Sequence, residues 1–371
     1  MKENHKRLYL LDLARAIAAT CVVLHHYQHF YLGTDYQGGA FNKTHQPFYQ
    51  ILEPFYEFGS VAVQFFFVLS GFIFFMFYRK KIFEKTINFK NFFILRISRL
   101  YPLHLLTLII VLILQQIFYS NFSEYFIYKQ NDLSRFISHL FLFQEWGLVE
   151  GTSSFNAPSW SISVEIFLYI TFFVVSIFFI KNLFQSFITV ILTTVIYIFL
   201  QPSLGTLILG LLLFYVGGFT FFLYVFIKNF EKKNYLIFLI ILVNIIVFGK
   251  FLNQFFLTQQ NSIDYLIGNK LNLLLYYIKF PLIIINLSLI QLFKNDIGKN
   301  IQVFGDISYT IYLVHFPVQL VFALINKKIF EINFDENYFF ITYFLSVFLI
   351  SFLIYKFYEL PTKKIIRKRL L

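Results

Sequence analysis

Residues 8–30 read LYLLDLARAIAATCVVLHHYQHF. A helix needs about 20 mostly apolar residues to cross a bilayer, and this stretch has the length, but Asp12, Arg15, His25, His26 and His29 interrupt it. Taking a charged side chain to the centre of a bilayer costs roughly 3 kcal/mol on insertion scales, so such groups are candidates for function. Lys2, Lys6 and Arg7 precede the stretch as basic residues precede a cleavable leader. Asp12 and Arg15 break the apolar core a leader requires, and the segment reads as a retained first helix. Arg15 and His26 are eleven residues apart, which at about 100° per residue returns them to within roughly 20° of one face, about 16 Å along the axis. His25 points about 80° away and Cys21 about 120° away. Asp12 lies three residues before Arg15 and can pair with it, or both can snorkel to the interface.

Outward from this segment the chain keeps the same character. Of its 371 residues, 58% are hydrophobic, 22% aromatic and only 13% charged, and the mean hydropathy is +0.68. A water-soluble core of that length needs far more polar surface. The apolar runs do not alternate with polar residues, which excludes a barrel and leaves helices. Ten spans are expected, at 8–30, 58–78, 97–118, 160–180, 184–200, 204–227, 235–252, 271–293, 304–325 and 338–358. The fold class is therefore all-α, a polytopic transmembrane bundle forming one domain over 1–371, with no appended soluble domain. The short apolar stretch 136–144 lies in a polar loop, 119–158, that is long enough to cover a site, and it reads as re-entrant or interfacial. The 55 Phe residues read as lipid-facing filler.

A net charge of +12 raises nucleic acid as a partner, but the basic residues form short clusters beside apolar runs instead of one stripe. Topology accounts for them, and no nucleic acid is expected. With the N-terminus in the cytoplasm, 22 basic residues fall on inner segments and 7 on outer loops, which sets an N-in/C-in arrangement. The single cysteine, Cys21, excludes an intrachain disulfide. The histidines near it lack HExxH spacing, so no metal site is expected.

Further polar groups stand out against the apolar background. Arg96 and Arg99 share a face at the mouth of the span 97–118, an arrangement that suits a bidentate grip on phosphate and equally an ordinary positive-inside cluster. The span 160–180 opens Pro158-Ser159-Trp160-Ser161-Ile162-Ser163-Val164-Glu165. It runs opposite to the first helix, so Glu165 and His26 reach similar depth and can be neighbours, although a Glu can also simply seal polar groups in a bundle. His315 lies near the middle of the span 304–325, where a satisfied core histidine is the plainer reading. Ser70 and Gly71, within Phe66-Phe67-Val68-Leu69-Ser70-Gly71-Phe72, permit close helix packing.

Taken in order, these segments resemble membrane acyltransferase family 3, the O-acetyltransferase-like integral membrane proteins. The resemblance rests on Leu11-Asp12-Leu13-Ala14-Arg15 with His26, on Phe66 to Phe72, and on Arg96-Ile97-Ser98-Arg99-Leu100-Tyr101-Pro102. It continues through Trp160 to Glu165, Ser308 to Pro317 and Tyr358-Glu359-Leu360-Pro361. Ile162 stands where the family has Leu, and the extracytoplasmic hydrolase-like domain of some members is absent. The resemblance implies acyl-coenzyme A, commonly acetyl-coenzyme A, as a cytoplasmic donor substrate, with no permanently bound cofactor. It implies a sugar hydroxyl as acceptor, on a lipid-linked or surface glycan such as lipopolysaccharide O-antigen or exopolysaccharide, and a place in the bacterial cytoplasmic (inner) membrane. His26 and Glu165 are then the catalytic pair, and Arg15, Arg96 and Arg99 hold the donor. Asp12, Ser70, Trp160, Ser161, Tyr309 and His315 support them. The competing class is a transporter or flippase of a lipid-linked sugar, although the matched half-repeats common in transporters are not evident.

Overall fold

The computed structural model describes residues 7–33, 41–149, 153–230, 275–293 and 296–371. The described residues form helices joined by turns, with no strand among them. The helices are α1 (Tyr9–His26) and α2 (Tyr49–Phe58), then α3 (Val61–Phe83) and α4 (Phe89–Phe122). They continue as α5 (Leu133–Leu140), α6 (Ala157–Phe178), α7 (Leu183–Gln201), α8 (Ser203–Asn229), α9 (Leu275–Leu292), α10 (Lys299–Lys328) and α11 (Asn337–Leu370). Among the described residues eight of these, α3, α4 and α6 to α11, are long and apolar enough to cross a membrane. Each overlaps an expected span. The first expected span corresponds to α1, whose 18 residues fall outside that set because Asp12, Arg15, His25 and His26 dilute its apolar content. The expected span 235–252 lies outside the described residues.

The start of α4 differs from expectation, and that boundary and two others have local causes. Asn88 caps α4, its side chain accepting from the Asn91 backbone N–H at 2.8 Å, so the helix starts well before residue 97. Arg96 and Arg99 therefore sit inside α4 and not at its mouth. The segment 136–144 is the second half of α5, an eight-residue helix too short to span, and the turn that follows it. Asp132 caps it, accepting from the Arg135 N–H at 3.0 Å. Leu204 leaves helical geometry at φ −132°, ψ 34°, and that break, just past Pro202, separates α7 from α8.

The chain divides into two compact units, one of Met1–Ala14, Gln64–Thr86 and Thr171–Gln302, the other of Arg15–Val63, Ile87–Ile170 and Val303–Leu371. In the first, α3 and α8 touch backbone to backbone. A Cβ on Gly71 would lie 1.9 Å from the Phe214 carbonyl oxygen, and one on Gly217 would lie 2.0 Å from that of Val68. Small residues permit that approach, as the Ser70–Gly71 step implied. Around it Phe74, Phe75, Phe172 and Phe214 pack edge to face, with centroids 5.2 to 5.7 Å apart, in the geometry aromatic pairs favour. The reading of phenylalanine as lipid-facing filler is thus right only for part of the set. Phe178, Phe184 and Phe199 are exposed, whereas Phe72, Phe75 and Phe214 are core.

In the second unit every residue from 310 to 320 on α10 is buried. Contacts along α10 give the directions of its neighbours. On α1, Arg15 meets Ser308 and His26 meets His315, so the two helices run parallel. On α6, Ser161 meets Tyr312, while Tyr169 lies within electrostatic reach of Tyr309, so that pair is antiparallel. On α11, Tyr343 meets His315 and Glu359 meets Thr310, again antiparallel. Leu108, Val111 and Phe118 of α4 join Phe316, Leu320 and Ala323 of α10 in one apolar cluster, closed by Phe126 and Phe155 from the loop.

Candidate active site

The site is built on α10, where Gly305, Ser308, Tyr312, His315 and Gln319 recur at intervals of three and four residues and so share one face. Arg15 meets the start of this stripe. Its Nε donates to Ser308 Oγ at 3.0 Å and its Nη2 to the Gly305 carbonyl at 2.8 Å. Both acceptors are neutral. About two turns further along α10, His315 Nε2 lies 2.8 Å from His26 Nδ1. One turn beyond, Gln319 Nε2 donates to the His26 carbonyl at 2.7 Å, and its Oε1 faces His29 Nδ1 at 3.3 Å. The expected common face of Arg15 and His26 is thus the face of α1 that docks on α10.

Three imidazoles stack here. The His26 and His29 centroids are 4.7 Å apart with planes at 18°, and those of His26 and His315 are 5.0 Å apart at 20°. His315 and His29 are buried, whereas His26 keeps part of its surface open. Proton positions follow from the partners. The Ile311 carbonyl, 3.3 Å from His315 Nδ1, can only accept, so Nδ1 carries the proton and Nε2 of the neutral ring accepts. His26 Nδ1 must then donate, which leaves His26 Nε2 with the lone pair. His25 is turned away, its Nδ1 donating to the Tyr56 carbonyl at 2.7 Å.

Glu165 Oε2 accepts from the Tyr169 hydroxyl at 3.0 Å, and His26 Nδ1 meets His315. Tyr169 lies within electrostatic reach of Glu165, Arg96 and Arg99, so the carboxylate belongs with the α4 arginines. Tyr309 joins this group, near Glu165, Tyr169 and Arg99, with its hydroxyl donating to the Leu100 carbonyl at 2.7 Å. Ser161 Oγ donates to the Tyr312 hydroxyl at 3.0 Å, and that hydroxyl donates to the Pro158 carbonyl at 2.5 Å. The start of α6, where Trp160 follows the opening turn Ala157–Ser159, is thereby fixed to α10. Asp12 and Ser70 lie in the other unit, where Asp12 accepts from Arg7 Nε at 2.6 Å.

The geometry adds residues that were not singled out. Glu359 is buried at 5% exposure, accepts from Thr310 Oγ1 at 2.7 Å, and lies within electrostatic reach of Arg99, Lys363 and Arg15. Arg367 donates to Ser98 Oγ at 3.0 Å and to the Leu95 carbonyl at 2.8 Å, adding a cation beside Arg96 and Arg99. The loop 119–158 is fastened over this unit. His104 Nε2 donates to the His139 carbonyl at 2.8 Å, His139 Nε2 lies 2.9 Å from Ser154 Oγ, and Asn156 Nδ2 donates to the Leu313 carbonyl at 3.1 Å. Tyr128 of that loop stands edge-on to His29, with centroids 5.8 Å apart. Among the described residues no three His, Cys, Asp or Glu side chains are grouped to hold a metal ion.

Arginines on the same unit as an imidazole with a fixed lone pair are equipment for group transfer, and the comparison with known proteins agrees. The family described as "Acyltransferase domain" matches residues 8–356. The chain belongs to that family. The chain is also similar to the Acyltransferase MdmB of Streptomyces mycarofaciens, with 37% identity over 116 residues. That match covers 31% of this chain and 27% of the relative. No solved structure matches. With its apolar helices, this family member is a multi-pass integral membrane protein.

Proposed function

We propose that this acyltransferase moves an acyl group, most simply acetyl, from cytoplasmic acyl-coenzyme A to a hydroxyl of an envelope or surface glycan in the bacterial inner membrane. The arrangement is N-in/C-in with ten spans. The parallel course of α1 and α10 and the antiparallel course of α6 accord with that alternation. Arg15, Arg96 and Arg99 receive donor phosphates at the inner face, where guanidinium groups offer paired donors matched to phosphate oxygens. The acceptor hydroxyl approaches His26. Nε2 takes the hydroxyl proton as the oxygen attacks the thioester carbonyl, the C–S bond breaks, and the departing thiolate takes the proton from imidazolium. The products are an O-acyl ester and coenzyme A. His315 orients His26 and disperses its transient charge.

The observation that carries this reading is the hydrogen-bond chain Ile311–His315–His26, which points the lone pair away from α10. General acid–base catalysis contributes roughly 10²- to 10⁴-fold. In membranes supplied with labelled acetyl-coenzyme A and acceptor glycan, His26→Ala therefore lowers transfer by about that factor while the protein inserts normally. Wild-type transfer by the variant would overturn the mechanism. The acceptor isolated with and without the enzyme differs by the mass of one acyl group, which a transporter or flippase would not cause.

A further inference from the structure

The first unit contains a cavity of about 760 Å³ that the transfer chemistry does not use. Its size lies within the roughly 300–1,000 Å³ of ligand sites. Arg7, Arg79, Lys80, Lys181 and Lys228 line it, and among the described residues no Asp or Glu does. The last turn of α3 makes one wall. Residues Phe75–Arg79 form a wide π turn, a geometry often found at functional sites, and Phe75, Met76 and Arg79 all line the cavity.

Arg79 is the clearest pointer to a ligand. Its Nη1 donates to the carbonyls of Lys181 at 3.1 Å and Ile180 at 3.5 Å, and the guanidinium lies 5.2 Å from the Phe222 ring centre. Neutral groups thus hold it in place, while its Nε is buried without a hydrogen-bond partner. Lys181 Nζ rests over the Phe83 ring at 4.8 Å. Two acids flank the basic set without lining the cavity: Asp12 pairs with Arg7 at 2.6 Å, and Glu84 lies 4.0 Å from Lys80 and within electrostatic reach of Arg79, so five cations face two carboxylates. A concave set of Arg and Lys side chains is the recognition chemistry of a phosphate ester. The opposite wall is apolar. Phe226 and Leu292 line the cavity and are also 51% and 40% exposed, so the cavity runs onto the outer apolar surface of the helices, where acyl chains lie. A soluble nucleotide would leave that side unmatched.

We infer that this cavity binds an anionic phospholipid, with the headgroup phosphate held by Arg79, Lys181 and Lys228 and an acyl chain laid along Phe226 and Leu292. The test is lipid retention by the full-length protein. It is reconstituted into nanodiscs of equal phosphatidylglycerol and phosphatidylcholine, then released for native mass spectrometry. Phosphatidylglycerol is retained in preference to phosphatidylcholine. Arg79→Gln with Lys181→Gln weakens that retention on the order of thirtyfold, since each cation near a membrane surface contributes about fivefold. Lys228→Gln, read separately in case the double variant unfolds, weakens it about fivefold. Equal retention of both lipids by the wild type, or undiminished phosphatidylglycerol in a folded variant, would overturn the assignment. Displacement of the lipid by adenosine 3′,5′-bisphosphate would also overturn it, in favour of a nucleotide.

Discussion

A single proton position decides what His26 can do. Were its Nδ1 to lose its acceptor, the ring could present either tautomer, and part of the population would offer an N–H to the acceptor hydroxyl instead of a lone pair. His315 prevents this without touching substrate, at a distance of 2.8 Å, and is a positioning residue. His315→Ala therefore lowers kcat on the order of a hundredfold with little change in KM for the donor. His315→Gln recovers part of the loss, because a carboxamide oxygen can accept from the same N–H. A KM effect without a kcat effect, or no difference between Ala and Gln, would remove His315 from the mechanism. The plainer sequence reading of His315, a satisfied core histidine, was half of the answer. It is buried and hydrogen-bonded, but its partner is His26, the ring that the proposed mechanism uses. Pitch arithmetic on α1 could align Arg15 with His26 because both lie on one helix. It could not find His315, since helix pairing is a tertiary fact. The polar residues of α10 at three- and four-residue spacing were the available signal.

Elements meet on their smallest residues. The approach of α3 to α8 leaves no room for a side chain at Gly71, where a Cβ would lie 1.9 Å from the Phe214 carbonyl oxygen. Backbone on both sides cannot swing away as a side chain can. Gly71→Ala must push the helices apart, at about 1–3 kcal/mol for overpacking. The expected outcome is a lower midpoint of thermal unfolding in detergent, while Gly205→Ala, whose nearest neighbour would be 4.0 Å away, stays near wild type. Equal midpoints for the two variants would contradict the close contact. The Ser-Gly step in a bulky run was legible as packing because size alone signals it. The start of α4 was not, because hydropathy sees apolar content whereas Asn88 begins the helix by capping an amphipathic turn. That is why Arg96 and Arg99 were expected at a helix mouth, and why their neighbours Glu165 and Tyr169 went unpaired with them.

At the scale of the whole chain, the fold class was readable because solvent chooses it. Lipid leaves backbone groups no partner outside the helix, so composition alone argues for an all-helical protein. Orientation rests instead on the bias of Lys and Arg, which acts on the chain during insertion and leaves no mark in packing. Labelling can read it directly. Cys21 is the chain's one cysteine, so Cys21→Ser provides a background in which each introduced thiol reports its own side of the membrane. Asn333 lies in the turn between α10 and α11, and Lys364 lies near the C-terminal end of α11. If α10 runs outward and α11 returns, a membrane-impermeant maleimide labels Asn333→Cys in intact cells and labels Lys364→Cys only after permeabilisation. The reverse pattern would place Arg96, Arg99 and Arg367 on the outer side, away from cytoplasmic coenzyme A. The donor half of the mechanism would then fail even if His26 proved essential. Labelling of both sites in intact cells would instead mean that α11 does not cross, and the number of spans would be odd.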